Sequence, residues 1–95
     1  MMDFSNLNNL TPEQKIVIAN GQALFEETND MIKSRKYLLD ITSLWQLKAD
    51  CREIQMLIKM ILKGKKIEKN IDLLQNATVR LRTNLNGIVS FYERG

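Results

Sequence analysis

Ninety-five residues with 44% apolar side chains, one cysteine and no histidine make one small domain, since a chain this short folds around a single core. The missing histidine removes the commonest neutral-pH general base and metal ligand, and a lone Cys51 with scattered carboxylates cannot assemble a four-ligand zinc site. The net charge of +3 hides an asymmetry: residues 1–30 carry one lysine against five carboxylates, and residues 31–95 thirteen basic against six acidic side chains. That division suits contact with nucleic acid, or attraction between the two ends of an antiparallel fold or across a dimer.

Four glycines and one proline favour long uninterrupted elements over a turn-rich β fold. Residues 1–10, "MMDFSNLNNL", have no period and many amides. They are expected to form a flexible arm, with Phe4, Leu7 or Leu10 able to dock on the body. The stretch also lacks the basic and apolar regions of a signal peptide. "TPEQ" at 11–14 is a helix start: Thr11 can cap, Pro12 suits the first helical position and Gln14 completes a capping box. The apolar pairs Val17-Ile18, Leu24-Phe25, Met31-Ile32 and Leu38-Leu39 then recur every seven residues. This stripe predicts a first helix over about 12–41.

Leu44, Leu47, Cys51, Ile54, Ile58 and Ile61 follow at alternating spacings of three and four, a coiled-coil seam. It lies roughly half a turn from the first stripe, so a break near "LDITS" (39–43) is predicted, with Ser43 and Gln46 as a second capping box. The second helix is expected over about 43–63. In "KMILKGKKIEK", residues 59–69, the register breaks at Gly64, as glycine just past a helix end commonly dictates. Lys59 and Lys63 lie in the last turn, where cations favour the helix dipole. The third seam, Ile67, Ile71, Leu74, Thr78, Leu81, Leu85, Ile88 and Tyr92, predicts a helix over about 66–93, and Ala77 beside Thr78 predicts close helix approach.

The fold class expected is therefore all-α: a three-helix bundle of antiparallel, coiled-coil-like helices over 11–95. No catalytic motif accompanies it. Gly21, Gly64, Gly87 and Gly95 are isolated, so no phosphate-cradling loop forms. The neighbours Glu26 and Glu27 point apart on a helix. Cys51, on a seam, is expected to be a small buried hydrophobe. No enzymatic activity, metal, cofactor or small-molecule substrate is expected.

Candidate protein-binding residues are Trp45 near the start of the second helix, the adaptable Met56 and Met60, and the C-terminal Phe91 and Tyr92. Long amphipathic helices in a short chain predict a partner: another protein or a second copy, as a homodimer or helical hetero-complex. The rival reading is a nucleic-acid-binding regulator using Lys59, Lys63, Lys65, Lys66 and Lys69 with Arg80 and Arg82. It lacks interleaved aromatics and a recognition-helix motif. Membrane attachment is not expected. The longest apolar run, "MLIKMIL", is far too short to span a bilayer, and a soluble cytoplasmic protein is expected. Length and a mid-chain tryptophan are shared with small secreted helical hairpins of the Trp-x-Gly family. Here, however, Trp45 is followed by Gln46-Leu47, and "FYERG" lacks that family's tyrosine-acid export spacing. The sequence thus points to an adaptor, assembly factor, escort or mobile-element-type inhibitor acting through helix packing.

Overall fold

A computed structural model describes residues 10–94. Three helices run up, down and up: α1 (Pro12–Ser34), α2 (Ile41–Leu62) and α3 (Ile67–Arg94). Each packs on the other two, giving an elongated all-α bundle of 47 × 24 × 18 Å. The expected arm over residues 1–10 lies outside the described residues except for Leu10, which is buried on the core.

The start of α1 is as its sequence dictates. Thr11 Oγ1 accepts the Gln14 N–H at 3.1 Å, and Gln14 Oε1 accepts the Thr11 N–H at 3.0 Å. Its end differs from expectation. The helix stops at Ser34, seven residues before the predicted boundary, because Arg35 takes a left-handed conformation (φ 55°) and its N–H returns to the Ile32 carbonyl. Ser34 Oγ, donating to the Met31 carbonyl, competes for the same last turn. The fourth apolar pair therefore lies in the 35–40 connection, where Leu38 is 89% exposed and Leu39 half-buried.

The break near "LDITS" is present, but Asp40 makes it rather than the Ser43–Gln46 box. The Asp40 carboxylate accepts the Ser43 N–H at 2.7 Å, so α2 begins at Ile41, two residues early. That bond holds the Asp40 carboxyl below the usual carboxylate range. Aspartate is among the best N-cap residues for this reason.

Between α2 and α3 the basic turn is a helix stop. Gly64 sits at φ 77°, its N–H bonded to the Ile61 carbonyl, while the Lys65 N–H reaches the Met60 carbonyl. This pair of bonds is a Schellman motif, which glycine enters without a Cβ clash. Lys66 follows at φ 42°, and its carbonyl accepts the Asn70 N–H that opens α3. The Asn70 side chain is buried and donates to the Lys65 carbonyl at 2.8 Å, tying the turn to the helix it starts.

The two regular seams bury each other inside one chain. Leu47, Cys51, Ile54, Ile58 and Ile61 of α2 meet Ile71, Leu74, Leu81 and Leu85 of α3, with Leu24 of α1 closing the third side. Ala77 is fully buried, as its place beside the seam predicts. Gly21 and Thr28 of α1 are buried as well. Thr28 Oγ1 donates to the Leu24 carbonyl at 2.7 Å, which removes the cost of burying its hydroxyl. Among the described residues no buried side-chain nitrogen or oxygen lacks a partner. Large apolar side chains left outside, such as Trp45, Ile41, Met56 and Phe91, therefore lie off the seams.

Candidate docking surface

The connection 35–40 and the last turn of α3 meet at one end of the bundle. Tyr37 Oη donates to Glu93 Oε1 at 2.9 Å, and Lys36 Nζ lies 3.8 Å from the same carboxylate. The Tyr37 and Tyr92 rings lie 5.3 Å apart, and the Tyr92 hydroxyl donates to the Leu38 carbonyl. Tyr92 is thus committed to pinning the connection and only half-exposed. Phe91 stacks edge-on against Tyr92, with centroids 5.2 Å apart, and is 73% exposed. A groove of about 550 Å³ opens here, lined by Leu38, Leu39, Asp40, Ile88, Phe91 and Tyr92. A second groove, of about 780 Å³, lies between α1 and α3, with Met31, Tyr37 and Val89 beside Asp30 and Arg82. Its walls mix apolar and charged groups without a cluster of reactive side chains.

From Asp40 the surface continues along α2. Ile41, Trp45, Lys48, Arg52, Met56, Lys59 and Lys63 are all exposed. At 3.6 residues per turn they fall within one sector roughly 80° wide, opposite the buried Leu47, Ile54 and Ile61. Trp45, the chain's one tryptophan, is 66% exposed, and Met56 is 54% exposed. Met60 is half-buried beside this sector. Of the five predicted protein-binding residues, then, Trp45, Met56 and Phe91 face solvent, Met60 partly so, and Tyr92 is occupied within the fold. Ile41 and Leu38 join them on the surface: the stripe predicts Leu38 on a helix and Ile41 at the end of the first, whereas Leu38 lies in the 35–40 connection and Ile41 opens α2.

The predicted nucleic-acid set divides. Lys59, Lys63, Lys65, Lys66 and Lys69 are exposed at the opposite end of the bundle, and none makes an ion pair among the described residues. Arg80 and Arg82 are engaged. Arg80 bridges Asp50 at 3.4 Å and Glu53 at 2.6 Å on α2. Arg82 holds Glu27 of α1 through both terminal nitrogens, at 3.3 and 2.9 Å. That hydrogen bonding raises the Arg82 pKa further. The acidic first part of the chain is thus drawn to the basic remainder within the fold, at Glu27–Arg82.

Cys51 is buried, and burial pushes its thiol pKa up. A thiol in that state is a packing group rather than a nucleophile. Among the described residues no group of three or more Cys, Asp or Glu side chains is placed to hold a metal ion, and no helix is long and apolar enough to cross a membrane. No family model, no curated protein and no solved structure matches the chain.

Proposed function

We propose that this chain is a non-enzymatic docking module that binds another protein through the outward face of α2 and the adjoining end of the bundle. One observation carries the reading. The seams of α2 and α3 and the middle of α1 are buried together, and among the described residues every buried polar side chain is partnered, yet Trp45 stands two-thirds exposed between Ile41 and Met56 on the outer face. A fold that closes its core and still presents tryptophan, isoleucine and phenylalanine to water has the makings of a binding hot spot. A single buried free thiol fits a reducing compartment such as the cytoplasm.

The double substitution Trp45→Ala/Phe91→Ala is expected to abolish capture of a specific partner from lysate of the source cells. Circular dichroism should show unchanged helicity, because neither side chain belongs to the core. Undiminished capture by the double variant would remove these two anchors.

The five unpaired lysines favour a second reading, contact with nucleic acid at the basic turn. That contact would rest on lysines alone, since Arg80 and Arg82 are held by carboxylates. Under it, duplex or single-stranded oligonucleotide binding would fall steeply with salt, and Lys63→Gln/Lys65→Gln/Lys66→Gln would eliminate it. Absence of a gel shift at low salt disposes of this reading.

A further inference from the structure

The outer sector of α2 is charged as well as apolar, and its charge has one sign. Lys48, Arg52, Lys59 and Lys63 share it with Ile41, Trp45 and Met56. None of the four cations makes an ion pair among the described residues. The helix has only two carboxylates, and both point away: Asp50 and Glu53 are bound to Arg80 of α3. Ile41, Trp45 and Lys48 occupy the first half of the sector, Arg52, Lys59 and Lys63 the second, with Met56 among them.

We propose that this face receives an acidic amphipathic helix of a partner protein. Its apolar positions would lie on Ile41, Trp45 and Met56, and its carboxylates against Lys48, Arg52, Lys59 and Lys63. The proposal rests on the docking-module reading and adds the partner's chemistry to it. Helix-on-helix packing matches the length of the sector, and interleaved cations favour a partner with carboxylates at the same spacing. A second copy of this chain matches poorly, because the exposed Asp30 of α1 has Lys33 beside it and the exposed Glu68 and Asp72 of α3 stand among Lys65, Lys66 and Lys69. A bilayer would ask for a broad apolar sector with cations at its margins, whereas here the cations share the apolar sector. A phosphate backbone would engage the cations and leave Ile41, Trp45 and Met56 without a contact.

Trp45, as the one tryptophan, reports on its own face. The full chain is titrated with a synthetic helical peptide bearing leucine at i, i+3, i+4 and i+7 and glutamate elsewhere, and Trp45 emission is followed. A blue shift is expected, with affinity that falls as salt rises. The charge-reversed variant Lys48→Glu/Arg52→Glu/Lys59→Glu/Lys63→Glu, its helicity verified by circular dichroism, should bind about tenfold more weakly or worse. The same peptide with lysine in place of glutamate should bind the reversed variant and not the parent chain. Equal binding of the acidic and basic peptides by the parent, or no blue shift with the acidic peptide, overturns the proposal. A blue shift with phosphatidylserine vesicles or duplex DNA in its place would reassign the face to that ligand. If the acidic peptide fails while Trp45- and Phe91-dependent capture persists, the partner's acidity falls and the docking module stands.

Discussion

Gly21→Leu is expected to destabilise the bundle by about 3 kcal/mol or more, the cost of forcing extra methylenes into a packed core. Gly21 is buried on α1 where all three helices meet. A Cβ there would lie 3.1 Å from a Leu74 methyl on α3, 3.5 Å from Thr78 Oγ1 and 3.6 Å from an Ile54 methyl on α2. A whole leucine side chain has nowhere to go unless α1 lifts off. A domain of this size has only about 5–15 kcal/mol in total, so the loss is a large part of its stability. Gly21→Ala separates packing from helix propensity. The single methyl asks Leu74 to move by a few tenths of an ångström, while alanine gains about 1 kcal/mol of propensity over glycine; the alanine variant should unfold close to the parent. Urea unfolding followed by circular dichroism measures both. A leucine variant as stable as the parent would mean that α1 does not cross the other helices at Gly21.

Arg80→Met is expected to cost about 2–3 kcal/mol. Asp50 is almost entirely buried, its side chain only 6% exposed, and two groups hold it: Arg80 at 3.4 Å and Asn84 Nδ2 at 3.2 Å. Removing the arginine leaves a buried carboxylate with one neutral donor, and breaking a buried pair in this way typically costs several kcal/mol. The expected value sits at the lower end because Arg80 is itself half-exposed and solvent already screens the pair. Asp50→Leu/Arg80→Met, which removes both charges, should recover most of the loss, since an apolar pair of similar size avoids desolvation altogether. A double variant no better than Arg80→Met, measured by the same unfolding curves, would mean that the cost came from lost packing of the arginine stem.

The regular seams of α2 and α3 were legible because apolar side chains mark all but one of their positions, Thr78, and the turn between them because Gly64 is the residue a left-handed stop requires. The first helix was harder. Its inward positions Val17, Gly21, Leu24, Thr28 and Met31 follow the same four-three spacing as the other seams, but Gly21 and Thr28 conceal it. The more conspicuous seven-residue pairs run on past the end of α1 to Leu38-Leu39, so the stripe predicts a longer helix than forms. Nothing in composition marks Arg35 as a left-handed stop, because arginine has no preference for that conformation; the position is imposed by the connection that follows. The short side chain that caps α2 could have been found, since Asp40 has the cap chemistry of Ser43 and stands three residues nearer the break.

The candidate surface was legible in part. Trp45, Met56 and Phe91 stand off the seams in sequence and off the core in the fold. Tyr92 lies on a seam, and its hydroxyl is spent on the Leu38 carbonyl. The engagement of Arg80 and Arg82 was hidden, because their partners Asp50, Glu53 and Glu27 lie 27 to 55 residues away in the chain. Only the packing of α3 against α1 and α2 brings them together, and it makes the two arginines struts of the bundle.

Acrylamide quenching of Trp45 in the isolated chain, across a dilution series, tests most directly whether the α2 face is free for a partner. With Trp45 on an open outer face, quenching should approach that of free tryptophan amide at every concentration. A tryptophan protected even at high dilution would mean that the chain covers this face itself, and the docking surface would have to be sought elsewhere.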